Sequence, residues 1–207
     1  DDFSDYYIDG DRWTATSENS GALTDGATVG GSMDVTTGAT NNNETYAENK
    51  ETFLFAEDKP IYYKVICKLT EAATDDANLM VGLMDAPGAD SIVDDGAGPK
   101  ASYSGAVFFK VDGSLLWRAE TSLSTTQDTD NDCGTFTSGT TYTLECYILP
   151  TSSTSATAYF YIDSTLVHTS TFVYTSATEM AFVLGAKAGG SNAEELRVDY
   201  VCCKQLR

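Results

Sequence analysis

The sequence predicts an all-β sandwich, and three observations predict it. From about residue 60 onward, apolar and polar residues alternate, the period-two spacing that turns one face of a strand to a core. No segment longer than two turns carries a 3.6-residue period, although Glu71–Asp76 fits a single helical turn. Clusters of Gly, Ser, Thr, Asp and Asn separate the alternating runs, at Asp85–Ser102, Ser122–Thr140, Thr151–Thr157 and Gly189–Asn192. Many short strands joined in this way build sandwiches.

The elements follow in order. Arg12–Ser17 and Met33–Thr37 read as strands, while Asn41-Asn42-Asn43 reads as open loop. In Ile61–Thr70, Ile61, Tyr63, Val65, Cys67 and Leu69 share one face, and Tyr62, Lys64, Ile66 and Lys68 share the other. Leu79–Asp85 is short, apolar and bounded by turn formers. Val107–Val111 and Leu115–Ala119 flank Asp112-Gly113, the pair a two-residue type I′ hairpin uses. Tyr142–Leu149 alternates, with Tyr142, Leu144, Cys146 and Ile148 on a common face. Ala158–Ile162 and Leu166–Thr169 flank Asp163-Ser164-Thr165 as a second hairpin, and Met180–Lys187 and Leu196–Lys204 close the chain. No 20–50-residue period repeats, which excludes a solenoid or propeller.

Composition bounds the partners. A chain of 207 residues buries roughly 70% of its unfolded surface, enough for one full core. The expected organisation is a single sandwich domain over residues 12–207, preceded by residues 1–11. That acidic, aromatic segment (Phe3, Tyr6, Tyr7) is read as an arm that docks on a partner or as a first edge strand. Hydrophobic content of 42% excludes wholesale disorder. Twelve Lys and Arg against 31 Asp and Glu give a net charge of −19, which argues against nucleic acid and anionic membrane as partners. No apolar run approaches the roughly 18–20 residues of a spanning helix. The chain starts at Asp1 without a charged-then-apolar leader pattern, so secretion is not legible. Five cysteines, an odd number, read as small buried hydrophobes with no disulfide scaffold, and adjacent Cys202 and Cys203 point to opposite faces.

Motifs that carry chemistry are weak. His168 is the only histidine, so any Ser-His-Asp or Cys-His nucleophile must use it, and no nucleophile signature accompanies it. Ala188-Gly189-Gly190-Ser191 lacks the Lys and the helix of a phosphate loop. Glycoside hydrolysis needs two carboxylates about 5–9 Å apart. Glu195 and Asp199 share a face, but Arg197 between them lowers both pKa values, and the row reads as a charged outer surface opposite Leu196, Val198 and Tyr200. Asp128–Asp132 opens like a calcium-binding loop but has Cys133 and Gly139 where Gly and Glu belong. It leaves only a looser calcium loop against a solvated acidic one. No cofactor is expected. Carbohydrate binding would use exposed aromatics, for which Tyr62, Tyr147, Tyr159 and Tyr161 are the candidates, with Trp117 assigned to the core. Tyrosine serves a subunit interface equally well.

Three runs carry a resemblance. Thr70–Ala86 (TEAATDDANLMVGLMDA), Gly105–Gly113 (GAVFFKVDG) and Gly185–Val201 (GAKAGGSNAEELRVDYV) resemble a family of tailed-bacteriophage virion proteins, in the family's order. The resemblance implies a concanavalin-type jelly-roll antiparallel sandwich with long surface loops. It implies a non-enzymatic decoration, or cement, protein on the outer capsid surface, assembled in the host cytoplasm. Its partners are then the major capsid protein and two further copies in a homotrimer, and its interface candidates Phe3, Tyr6, Tyr7, Tyr62, Tyr159 and Tyr161. The alternative is a carbohydrate-binding sandwich of a tail fibre or spike.

Overall fold

The structure is a computed structural model that describes residues 1–3, 8–26, 29–176 and 178–206. Sixteen strands follow in chain order: β1 Trp13–Ser17, β2 Ala22–Asp25, β3 Met33–Thr36, β4 Glu44–Leu54, β5 Ile61–Thr70, β6 Ala77–Met84, β7 Ile92–Val93, β8 Gly98–Pro99, β9 Tyr103–Lys110 and β10 Arg118–Ser124. Then come β11 Thr126–Asp130, β12 Thr141–Ser152, β13 Ser155–Ile162, β14 Thr165–Val173, β15 Glu179–Ala188 and β16 Glu195–Gln205. One seven-stranded sheet runs β1-β4-β15-β6-β9-β10-β11, and the other runs β14-β13-β12-β5-β16-β3-β2. All pairings are antiparallel. The described residues contain no helix, and Glu71–Asp76 is a turn.

Alternation in the second sheet does what the sequence implies. Ile61, Tyr63, Val65, Cys67 and Leu69 of β5 enter the core with Leu144, Cys146 and Ile148 of β12. They meet Leu79, Val81 and Leu83 of β6, Phe108 of β9 and Phe182 and Leu184 of β15 across the sandwich. Each buried side chain of this size contributes roughly 1.5–3 kcal/mol. None of the five cysteines is in a disulfide among the described residues. Burial pushes Cys67 and Cys133 up to about 12, which makes them packing residues and poor nucleophiles.

The first sheet differs: β6 and β9 are buried on both faces. A second apolar layer, with Tyr46, Met80, Met84, Ile92, Tyr103, Val107, Phe109 and Val183, lies on its outer side. The segment between β6 and β9, which the sequence shows only as a loop, folds back over this face as the β7–β8 pair. Tyr46 anchors it. Its hydroxyl donates to Glu44 at 2.8 Å and accepts the Ile92 amide at 2.9 Å. Gly185 makes the space, since a Cβ there would stand 2.4 Å from the Tyr46 ring.

Several expectations are corrected. Asp112-Gly113 does not form a two-residue turn: Phe109 pairs with Arg118, so residues 111–117 form the connection. Only Gly113 of the pair has positive φ, and both amides are taken, Asp112 by Asn78 Oδ1 and Gly113 by the Asp75 carbonyl. Trp117 is buried, as the alternation implies. Two expected loops are largely strand: Thr126–Asp130 pairs along β10, and β12 and β13 run on until only residues 153 and 154 separate them. β4 is an eleven-residue strand in a region that reads weakly in sequence. The second hairpin has two turn residues instead of three. Asp163 and Ser164 both have positive φ, and Thr165 begins β14.

Residues 1–3 fold back on β16. The Asp1 nitrogen donates to Val201 O at 2.6 Å, and Val201 N donates to Asp1 O. Phe3 is 2% exposed and packs on Trp13. Its expected place in an intermolecular contact is therefore corrected: the ring docks on its own sandwich. Tyr6 and Tyr7 lie outside the described residues.

Candidate functional site: a tyrosine row on the outer sheet

The second sheet turns its other face outward, and strand register decides what stands there. Tyr147 pairs with Tyr62 on one side and Tyr159 on the other; Lys204 stands beyond Tyr62 and Thr169 beyond Tyr159. Five strands thus present Lys204, Tyr62, Tyr147, Tyr159 and Thr169 in one lateral row. The next row is Cys202, Lys64, Glu145, Tyr161 and Leu166. Directly opposed side chains in antiparallel sheets lie about 4.5–5.5 Å apart at Cβ, so the tyrosines stand side by side across the sheet. Tyr147 is 38% exposed, and Tyr62, Tyr159 and Tyr161 are half-buried.

Glu145 ties the two rows together. It accepts the Tyr62 hydroxyl at 2.5 Å and lies 3.8 Å from Lys64 Nζ. Burial first, and then this carboxylate, raises the Tyr62 pKa, so the phenol stays neutral and acts as a donor. Three of the six expected interface residues, Tyr62, Tyr159 and Tyr161, are brought together here, with Tyr147 completing the group.

The charged row on β16 lies toward the other end of the same sheet, level with Lys68 and Thr70 of β5. Arg197 makes a fork to Asp34 at 2.8 and 3.0 Å and lies 3.3 Å from Glu195. The Asp34 bonds hold the guanidinium pKa up. Cross-pairing thus occupies Glu195, with Asp34 of β3 a partner that sequence spacing does not reveal. A β-bulge at Asp199 reverses the remainder of the strand. Tyr200 consequently stands opposite Ile66, half-exposed, where alternation from Leu196 placed it inside.

His168 Nδ1 lies 3.3 Å from Asp130 Oδ2, while its Nε2 is buried without a partner. Ser170, two residues on, is 2.6 Å from both Asp128 Oδ2 and Thr121 Oγ1. Its hydrogen bonds run along the seam between β14 and the β10–β11 pair, and among the described residues no serine–histidine pair forms. The acidic Asp128–Asp132 stretch is a strand end whose carboxylates serve Ser170 and His168, which replaces the looser calcium loop. Among the described residues, no group of three His, Cys, Asp or Glu side chains converges to hold a metal ion.

Two buried lysines escape sequence reasoning. Lys187, fully buried, bonds Glu44 at 3.1 Å, Asp94 at 2.5 Å and Asp90 at 3.3 Å, and donates to Ile92 O. Burial alone would lower its pKa; the Asp94 and Glu44 contacts outweigh that and raise it. Lys110, also fully buried, lies 2.6 Å from Glu71 and donates to the Ala77 and Val111 carbonyls. The only signal in the sequence is a lysine placed inside an apolar run.

No protein-family model and no curated protein sequence matches the chain. Solved structures do. The potassium-bound carbohydrate recognition domain of Emp46p superposes with a TM-score of 0.67 at 10% identity, over 98% of this chain and 94% of that one. A legume lectin-like domain from Entamoeba histolytica gives 0.62 at 9%, over 95% and 91%. An endo-1,3-beta-glucanase from Streptomyces sioyaensis gives 0.65 at 14%, over 100% and 94%. This chain has the concanavalin-like jelly-roll fold, an antiparallel β-sandwich. At these identities the likeness extends to the fold alone.

Proposed function

We propose that this chain is a non-enzymatic virion structural protein, a decoration subunit that binds the major capsid protein on the outer capsid shell of a tailed bacteriophage and associates with its own copies. The observation that carries the reading is the in-register tyrosine surface on the outer sheet. Tyrosine-rich, flat, half-desolvated patches suit protein contacts, because each ring buries a large area at little entropic cost. The three runs that resemble virion proteins support the assignment. They contain β6 and most of β9 in the first sheet, and the end of β15 with most of β16, which lies in the second sheet. The test is co-sedimentation of purified chain with decoration-free particles. The wild type pellets with the shell, and the double change Tyr62→Ala and Tyr159→Ala weakens binding at least tenfold while the fold stays intact. Unchanged binding by the double variant counts against the face, and no wild-type binding counts against the role.

The lectin-like neighbours favour a second reading, a carbohydrate-binding sandwich of a tail fibre or spike using the same tyrosines. A glycan array separates the two: a hit lost on Tyr62→Ala or Tyr159→Ala supports the second reading. Hydrolysis of a glycan that Glu195→Gln abolishes would make the chain an enzyme instead.

A further inference from the structure

The charge of this chain is unevenly spread. Cys146 to Thr178 holds a single Asp, Glu, Lys or Arg, Asp163, in a sequence that is 21% charged overall. That stretch forms the outer half of β12 and all of β13 and β14. β14 is an edge strand that pairs only with β13 among the described residues. It leaves Leu166 50% and Val173 60% exposed. Beside it, a cavity of about 220 Å³ is lined by Leu123, Thr126, Thr171, Phe172 and Val173, with Asp128 its one charged residue.

Edge strands usually carry lysine, proline or inward-pointing charge that blocks pairing with another chain. β14 has neither proline nor lysine. Its one irregularity, the bulge opposite Phe160 and Tyr161, sits at the turn end and leaves His168–Val173 regular. Two chains of net charge −19 repel each other, so they approach best where carboxylates are fewest. That place is β13–β14: the two strands carry none, and the neighbouring Asp128 and Asp130 of β11 are bonded to Ser170 and His168.

We propose that β14 is the contact between two copies of this chain, each adding its edge antiparallel to the other across a two-fold axis within His168–Val173. This rests on the self-association in the proposed function and names where it occurs. The pairing is isologous, so it closes at two copies. A two-fold axis perpendicular to the sheet keeps both outer faces on one side. The result is a fourteen-stranded sheet with two tyrosine rows facing the same way, and a doubled docking surface strengthens binding through effective concentration. The homotrimer implied by the resemblance would need a different contact.

The test is molar mass by light scattering in high salt for the wild type, Thr171→Glu, Thr171→Lys and Val173→Lys, with Ser17→Lys on β1 as control. Thr171, Val173 and Ser17 are exposed. The wild type and the control run at twice the chain mass, and each β14 variant runs as a monomer with an unchanged melting temperature. An equimolar mixture of Thr171→Glu and Thr171→Lys regains the double mass, which loss of fold cannot produce. A monomeric or trimeric wild type, or a dimer indifferent to all three β14 variants, overturns the proposal. Particle binding by a monomeric wild type leaves the decoration reading standing without this pairing. A β14-dependent dimer that ignores particles does the reverse.

Discussion

Glu194 shows how one residue can set a response of the whole protein. Its side chain is 1% exposed; Oε2 accepts the Ala72 amide at 3.0 Å, while Oε1 is buried without a partner. Glu71, Asp76 and Lys110 act on it, and Glu71 also has an unpartnered buried oxygen. Burial, supported by the negative Glu71 and Asp76 and opposed by the Ala72 amide and Lys110, raises its pKa from 4.5 to about 7. A raised carboxyl binds its proton more tightly in the folded state. Its contribution is fully present below about pH 4.5 and is lost as pH rises through 7, a change on the order of 3 kcal/mol. Thermal melts between pH 4.5 and 8 should therefore show stability falling with pH, and Glu194→Gln should remove most of that slope. Part of it remains, because burial also raises Glu48, Asp112 and Glu120. A variant with the wild-type slope contradicts the assignment. None of this is legible in sequence, where Glu194 is one acid among 31 and only the meeting of three loops buries it.

At the level of elements, turns and straps carry the consequences. Ser164 has φ 66° and Asp163 φ 49°, a left-handed pair that favours the hairpin and strains a residue with a Cβ. Ser164→Gly should stabilise the chain by about 0.5–1 kcal/mol in urea denaturation; a loss would mean the Ser164 side chain contributes more than its strain costs. The strap over the first sheet depends on Lys187. In Lys187→Met, Glu44 is left buried beside Tyr46, and hydrogen exchange around Ile92 should rise while the β5 and β12 amides stay protected. Uniform exchange across both regions would show that the strap is part of one cooperative unit. Period-two alternation made β5, β12 and β13 readable because one face of each is wet and the other dry. It could not reveal the fold-back of β7 and β8, since strands buried on both faces lose alternation. Nor could it reveal the bulge at Asp199 that turns Tyr200 outward, because register shifts arise from cross-strand pairing. The tyrosines on β5 and β13 were legible as exposed; their alignment in one row required the register.

For the whole molecule, the governing quantity is a charge of −19 set against one nearly uncharged flank. Added salt screens repulsion between copies and weakens attraction to basic patches of a shell. Self-association should tighten as salt rises, and particle binding should weaken. The opposite pair of responses in light scattering and co-sedimentation would show that the two contacts are built otherwise.

The most direct measurement is electron cryomicroscopy of capsids incubated with the purified chain. The account predicts ordered density on the outer shell, with Tyr62, Tyr147 and Tyr159 turned toward the capsid protein. Bare shells, or bound copies whose tyrosine sheet faces solvent, contradict it.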